Sequence, residues 1–245
     1  MKHLFIFLST AFIVTLGFQS CGSENGNGNG SGSVDENEQI SKPATSLNVS
    51  ISGTIDHETH TQGQSGTVTF NRFPVSVKEF KQVRDQIGGE PHGAVALQIM
   101  ASEMFRRHNK IGEECIKLNN TQNNISVCIS RLKTIFTQRP YQMAVFLKGS
   151  SWDNGYNPEK PYTIEVVVMN GKPYDDSSVF QTKVLFLAVV SSGHESSPLP
   201  VSVLKTKKPE EKASENGKYF IVWESASITL QCKEKSFEHD FNGLD

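Results

Sequence analysis

Ser76-Val77-Lys78-Glu79-Phe80-Lys81-Gln82-Val83-Arg84-Asp85-Gln86-Ile87-Gly88-Gly89-Glu90-Pro91-His92-Gly93-Ala94-Val95-Ala96-Leu97-Gln98-Ile99-Met100-Ala101 is the stretch that decides the fold. Ser76 and Glu79 have the spacing of a capping box, in which each side chain satisfies a backbone donor left open at a helix start. Val75 and Phe80 occupy the apolar staple positions around it. Phe80, Val83 and Ile87 then mark one helix face, and Gly88-Gly89 ends it. Pro91 suits the first turn of a second helix. Between Ala94 and Ala101 only Gln98 is polar, so this second helix is expected to lie centrally, apolar nearly all round. Met104 extends it, and the basic side chains from Arg106 to Lys110 match the negative end of its dipole. Two shorter helices are expected around residues 111–118 and 126–136, joined by an Asn-rich turn at 119–124.

Outward from this block the periodicity changes to two. Residues 47–51 alternate apolar and polar as a half-buried strand does, and residues 66–71 carry Val68 and Phe70 on one side. Downstream, Tyr162, Ile164, Val166 and Val168 share one side of a strand, while residues 184–190 form an unbroken apolar run, as in an inner strand covered on both faces. Residues 201–205 and 218–224 read as a hairpin with a charged, solvated tip, and Ile228, Leu230 and Cys232 as a last strand. Strands, then helices, then consecutive strands predict a segregated α+β layout: three or four helices packed on a mainly antiparallel sheet in a single domain, residues 47–235, with a polar tail at 236–245 that frays.

The N-terminal residues read as an address. Lys2 precedes an apolar run over residues 4–18, short for a bilayer span, which needs about 20 residues. The run ends in Gly17-Phe18-Gln19-Ser20-Cys21, which resembles the lipobox of bacterial lipoproteins. That resemblance implies a signal peptide at 1–20 and a diacylated Cys21, with Ser23 favouring the outer membrane. Residues 22–33 hold five Gly, three Asn, three Ser and one Glu, side chains that cannot offset their own ordering entropy. Residues 21–46 therefore read as a tether, spanning about 28 Å if flexible. The chain of 245 residues carries 24 basic and 26 acidic side chains, a balance without the basic excess of a nucleic-acid binder.

One segment looks familiar: Trp152-Asp153-Asn154-Gly155-Tyr156-Asn157-Pro158-Glu159-Lys160-Pro161-Tyr162-Thr163-Ile164-Glu165-Val166. With Gly93-Ala94-Val95-Ala96-Leu97, Ser197-Pro198-Leu199-Pro200-Val201 and Trp223-Glu224, it resembles a family of bacterial secreted and lipid-anchored proteins, domain-of-unknown-function family 6935. The similarity runs from about Phe73 to Ile228. It implies an envelope location and brings no catalytic residue.

Chemistry-bearing residues are scattered. With Cys21 acylated, three thiols remain, and the faces of Cys115 and Cys128 would allow a disulfide or two separate buried thiols. His57-Glu58-Thr59-His60 lacks the helical spacing of a zinc protease, and no metal or cofactor is expected. Gly193-His194-Glu195-Ser196-Ser197 lacks the order of a nucleophile elbow and reads as a surface turn. The pairs Asp175-Asp176 and Glu210-Glu211 are adjacent, so on extended backbone their carboxylates point apart.

The remaining candidates are aromatic. Four of the five Tyr (141, 156, 162 and 174) and Trp152 fall between residues 141 and 174, beside Gly- and Pro-rich connections. Trp152, Tyr156 and Tyr162 would offer stacking faces to a glycan or peptide, with Asn154 as hydrogen-bond partner. Rings that pin an irregular loop to the sheet are the alternative, and the favoured one. The function expected is a non-catalytic binding or interaction module at the outer membrane. An envelope hydrolase and a structural envelope-assembly protein are the alternatives.

Overall fold

The computed structural model describes residues 34–169 and 184–244. The signal segment, Cys21, the tether up to residue 33, Tyr174 and Asp175-Asp176 lie outside the described residues. Six strands form one antiparallel sheet in chain order: β1 (Val49–Gly53), β2 (Ser65–Phe70), β3 (Tyr162–Val168), β4 (Val184–Val189), β5 (Leu199–Leu204) and β6 (Ile221–Glu224). Between β2 and β3 the chain makes four helices: α1 (Val77–Ile87), α2 (Pro91–Arg107), α3 (Asn109–Asn119) and α4 (Gln122–Gln138). It then returns to pair β3 with β2, from Phe70 opposite Tyr162 to Ser65 opposite Val167. The fold is α+β, and the described residues form one compact unit.

The α1 start departs from a full capping box. Ser76 accepts a hydrogen bond from the Glu79 amide at 3.1 Å. The Glu79 carboxylate is turned instead to Arg72, at 2.7 and 2.9 Å, and to the Val75 amide. That charged hydrogen bonding holds Glu79 below the usual carboxylate range. From α1 Phe80, Val83 and Ile87 are buried, and α2 is buried from Pro91 to Phe105, the central helix its composition demands. Close approach fixes Gly112 in α3, where a Cβ would stand 2.1 Å from the Phe105 backbone.

Tyr162, Ile164, Val166 and Val168 face the helices and are buried, as their period of two requires. Strand β4 is covered on both sides: Leu185, Leu187 and Val189 join the main core, whereas Val184 joins Leu204, Ala213 and Ile221 in a second, small cluster. That cluster exists because the β5–β6 connection is not simply a solvated tip. Its charged side chains Lys207, Glu210 and Lys212 are exposed, but Ala213 and Ser214 are buried around Arg84. Arg84 donates to the Ala213 carbonyl, pairs with Glu215 at 3.1 Å and lies 4.0 Å over the Tyr219 ring.

Three expectations change. Residues 226–232 do not make a strand: Ala226–Thr229 is a 3₁₀ turn, and Leu230 is 51% exposed between buried Ile228 and Cys232. The Gln142 amide takes the Ile228 and Leu230 carbonyls at 3.0 and 2.8 Å, acceptors that a strand would give to a neighbouring strand. The later part of the tether, residues 34–46, lies on the domain. Val34 and Ile40 pack on the core, and the Ile40 and Lys78 amides donate to the Val75 and Glu36 carbonyls. The tail is also docked: Leu244 is 3% exposed, and Phe241 meets Tyr141 edge-on at 6.1 Å.

Candidate functional site

The site lies where β3 begins and β4 ends. Three connections meet there: the loop 147–161 leading into β3, the turn 190–198 between β4 and β5, and residues 230–242 of the C-terminal segment. Of the four residues expected to hold a ligand, three are occupied with the fold. Asn154 accepts from the Ser151 and Asn157 amides and donates to the Gly149 and Asn157 carbonyls, which uses two acceptor and two donor positions within the loop. Tyr156 is fully buried, stacks on Tyr141 at 5.0 Å and donates its hydroxyl to the Lys233 carbonyl at 2.7 Å. Burial moves its phenol pKa upward. Tyr162 is 1% exposed and packs on Phe70 and Phe73, each at 5.4 Å. These rings are core because the loop before β3 has no regular backbone pairing, and large apolar faces anchor it instead.

Trp152 differs. It remains 42% exposed, and the Lys233 ammonium sits 3.5 Å above its ring. Lys233 also forms one wall of a groove of about 780 Å³, whose opposite wall is the turn 192–196. The walls are clamped together by the Lys233 amide, which donates to the Gly193 carbonyl at 2.9 Å. Glycine is required at 193: a Cβ there would stand 2.8 Å from Val145 and 3.0 Å from Cys232. Leu230 gives the groove an exposed aliphatic surface, and Glu195, Ser196 and Gln231 give it polar ones.

Within this turn the structure joins two residues whose pairing the sequence did not reveal. Ser191 Oγ lies 2.7 Å from His194 Nδ1, and His194 Nε2 lies 2.9 Å from the Leu230 carbonyl oxygen. A carbonyl only accepts, so Nε2 carries the ring proton and Nδ1 accepts from the Ser191 hydroxyl. The Gly193 amide also donates to Ser191 Oγ, at 3.3 Å. Burial lowers the His194 pKa, with the Leu230 carbonyl opposing it. Ser191 itself is 6% exposed and borders a second hollow of about 220 Å³. The only advance signal was the Ser-x-x-His spacing, and nothing in it announces the Leu230 carbonyl 36 residues away.

The family model described as "Domain of unknown function (DUF6935)" matches residues 72–236. This chain belongs to that family. The whole groove, Ser191, His194 and Trp152 lie inside the DUF6935 match, whereas the docked residues 34–46 and the tail beyond 236 lie outside it. No curated protein and no solved structure matches the chain.

Other constellations in this DUF6935 protein do not form sites. Cys115, Cys128 and Cys232 are all free and buried, so the disulfide that opposed helix faces would have allowed is not formed. The Cys128 thiol instead accepts from the Gln98 amide at 3.2 Å, and burial raises its pKa to about 11. His60 is buried while His57 is half exposed, and no group of three or more His, Cys, Asp or Glu that could hold a metal ion occurs among the described residues. Glu211 caps α4 by accepting from the Gln122 amide at 2.9 Å. No helix among the described residues is long and apolar enough to cross a membrane.

Proposed function

We propose that this protein is a ligand-binding module whose groove takes a glycan or peptide, held at the outer membrane by acyl chains on Cys21. The observation that carries the reading is the groove of about 780 Å³, with the exposed Trp152 beside it against Lys233 of its wall. An indole offers a flat, polarisable face to the C–H side of a sugar or to a peptide side chain at small entropic cost. Seryl and amide groups around it would fix orientation. The lipobox-like Cys21 and the Gly-rich residues after it support attachment at a membrane surface, since more than one acyl chain on a cysteine gives stable anchoring.

Screening the purified chain and its Trp152→Ala variant on glycan and peptide arrays tests this. Ligands that bind the parent and are lost or weakened by at least about tenfold in the variant support the groove, since one aromatic anchor is typically worth more than 1 kcal/mol. Hits bound equally by both would remove Trp152 from the binding surface. Mass spectrometry of protein extracted from membranes should find acyl groups on Cys21, and an intact Met1 would refute the anchor.

A further inference from the structure

Ser191 and its partner His194 line two neighbouring hollows. His194 lines the groove, and Ser191 lines the pocket of about 220 Å³, whose walls mix Val145, Leu147 and Val190 with Thr163, Lys148 and Glu165. Ser192 borders both, so they meet at this turn. We propose that Ser191 is a nucleophile and His194 its general base, and that the groove hydrolyses small acyl esters, such as O-acetyl groups, carried by a bound glycan. The proposal rests on the groove reading above and adds a reaction to it.

The geometry supplies a nucleophile, a base and a group that holds that base. A serine hydroxyl is a weak nucleophile until a base accepts its proton within hydrogen-bond reach, about 2.6–3.2 Å; the 2.7 Å contact to Nδ1 meets that condition. The base must be held in one tautomer. Here the Leu230 carbonyl performs that task at 2.9 Å, at Nε2, whereas in the serine-hydrolase triad an acidic side chain does so at Nδ1. The Gly193 N–H directed at Oγ favours the deprotonated form of that oxygen as its proton leaves. Burial keeps the imidazole neutral and able to accept a proton near neutral pH. The pocket beside Ser191, where Val145 and Leu147 stand among Thr163, Lys148 and Glu165, receives the acyl group, and the open groove on the His194 side receives the sugar alcohol. Because Ser191 is only 6% exposed, a short acyl group reaches it where a long chain or a peptide carbonyl would not.

In the first step Ser191 Oγ attacks the ester carbonyl carbon, and its proton passes to His194 Nδ1. The bond from that carbon to the alkoxy oxygen breaks, and the departing oxygen takes the proton from Nδ1. Water then attacks the acylated Ser191, gives a proton to Nδ1, and releases the carboxylic acid as Oγ regains that proton. The sum is ester plus water giving acid plus alcohol, with no change of oxidation state.

The test uses the full chain with a fluorophosphonate bearing only short alkyl groups, p-nitrophenyl acetate and acetylated xylan. The expected result is a fluorophosphonate adduct mapped to Ser191, formed about 10²–10⁴-fold more slowly in His194→Gln, together with acetate release from both esters. No adduct on Ser191 in the folded parent chain overturns the proposal, whatever Ser191→Ala does to folding. Equal labelling rates in the parent and His194→Gln overturn it as well, because the histidine would then not be the base. Array binding retained without labelling or acetate release overturns the esterase and leaves the binding groove standing. Labelling of Ser191 without any glycan bound or deacetylated supports the nucleophile and refutes the glycan as its substrate.

Discussion

Replacing Tyr156 by Phe and by Ala separates a structural ring from a ligand-binding one. Tyr156 is fully buried, stacks on Tyr141, and closes the loop before β3 onto the C-terminal segment through its hydroxyl at the Lys233 carbonyl. Tyr156→Phe removes that donor and leaves the carbonyl unpaired at a cost of about 1 kcal/mol. For a domain of this size that shifts Tm by roughly 2–4 °C. Tyr156→Ala also removes the ring and opens a cavity, costing about 3–5 kcal/mol, or roughly 6–20 °C on the same scale. The residue adopts left-handed backbone, φ +58, which Ala does not relieve, so the cavity cost is not offset there. Thermal unfolding followed by circular dichroism reads both values, and urea titration checks that the m-value is unchanged. The reasoning fails if Tyr156→Phe keeps the parental Tm yet loses an array ligand, because its hydroxyl would then be contacting that ligand instead of closing the loop. It fails equally if Tyr156→Ala unfolds no earlier than the parent.

Trp152→Ala should cost less stability than Tyr156→Ala, since its ring is 42% exposed and lies outside the core, with the larger loss appearing in ligand binding. Gly112→Ala should lower stability by about 1–3 kcal/mol, because its Cβ would meet the Phe105 backbone at 2.1 Å and α3 must move from α2; an unchanged urea midpoint would refute that packing. Deleting residues 237–245 should lower Tm by uncovering Tyr141 and removing Leu244 from the core, measured by the same melting experiment. Stability should fall on acidification below about pH 6.5. Burial lowers the pKa of His60 against the Phe186 backbone, and of His92 against Glu90 and the Ser52 backbone. Both rings are therefore neutral in the fold while the unfolded chain takes up protons, so their contribution is complete above the unfolded pKa and is lost as pH falls toward the folded one. Urea midpoints at pH 8, 6.5 and 5 should decline in the parent and decline less steeply in the His60→Gln/His92→Gln double variant, where His194, its pKa also lowered by burial, keeps part of the slope.

How much of this could be read from residues alone depended on whether the determining interaction was local. Helix α1 was legible because Ser76, the apolar face and the double glycine act within one or two turns, and β3 because burial on one face imposes a period of two over the whole strand. Glu79 shows the limit: its spacing fits a capping box, but Arg72 offers a charge-assisted partner that a backbone donor cannot match. Residues 228–232 alternate convincingly and are still not a strand, because their carbonyls are claimed by Gln142, some 86 residues earlier in the chain. The docking of residues 34–46 was within reach, since Val34 and Ile40 were the apolar side chains that set them apart from the Gly-rich residues before them. Aromatic clustering marked the end of the sheet where the groove lies, and the reading that such rings pin an irregular loop holds for Tyr156. Tyr156 and Tyr162 are conspicuous in sequence because an irregular loop needs large anchors, and the same need buries them and takes them away from a ligand. What is left open at that end is Trp152 and a turn whose chemistry depends on a backbone carbonyl, a group that every residue carries and no sequence pattern marks. A pair that borrows its orienting acceptor from the main chain is therefore invisible until the fold is built, which is why His194 read as part of an ordinary surface turn and Ser191 drew no reading at all.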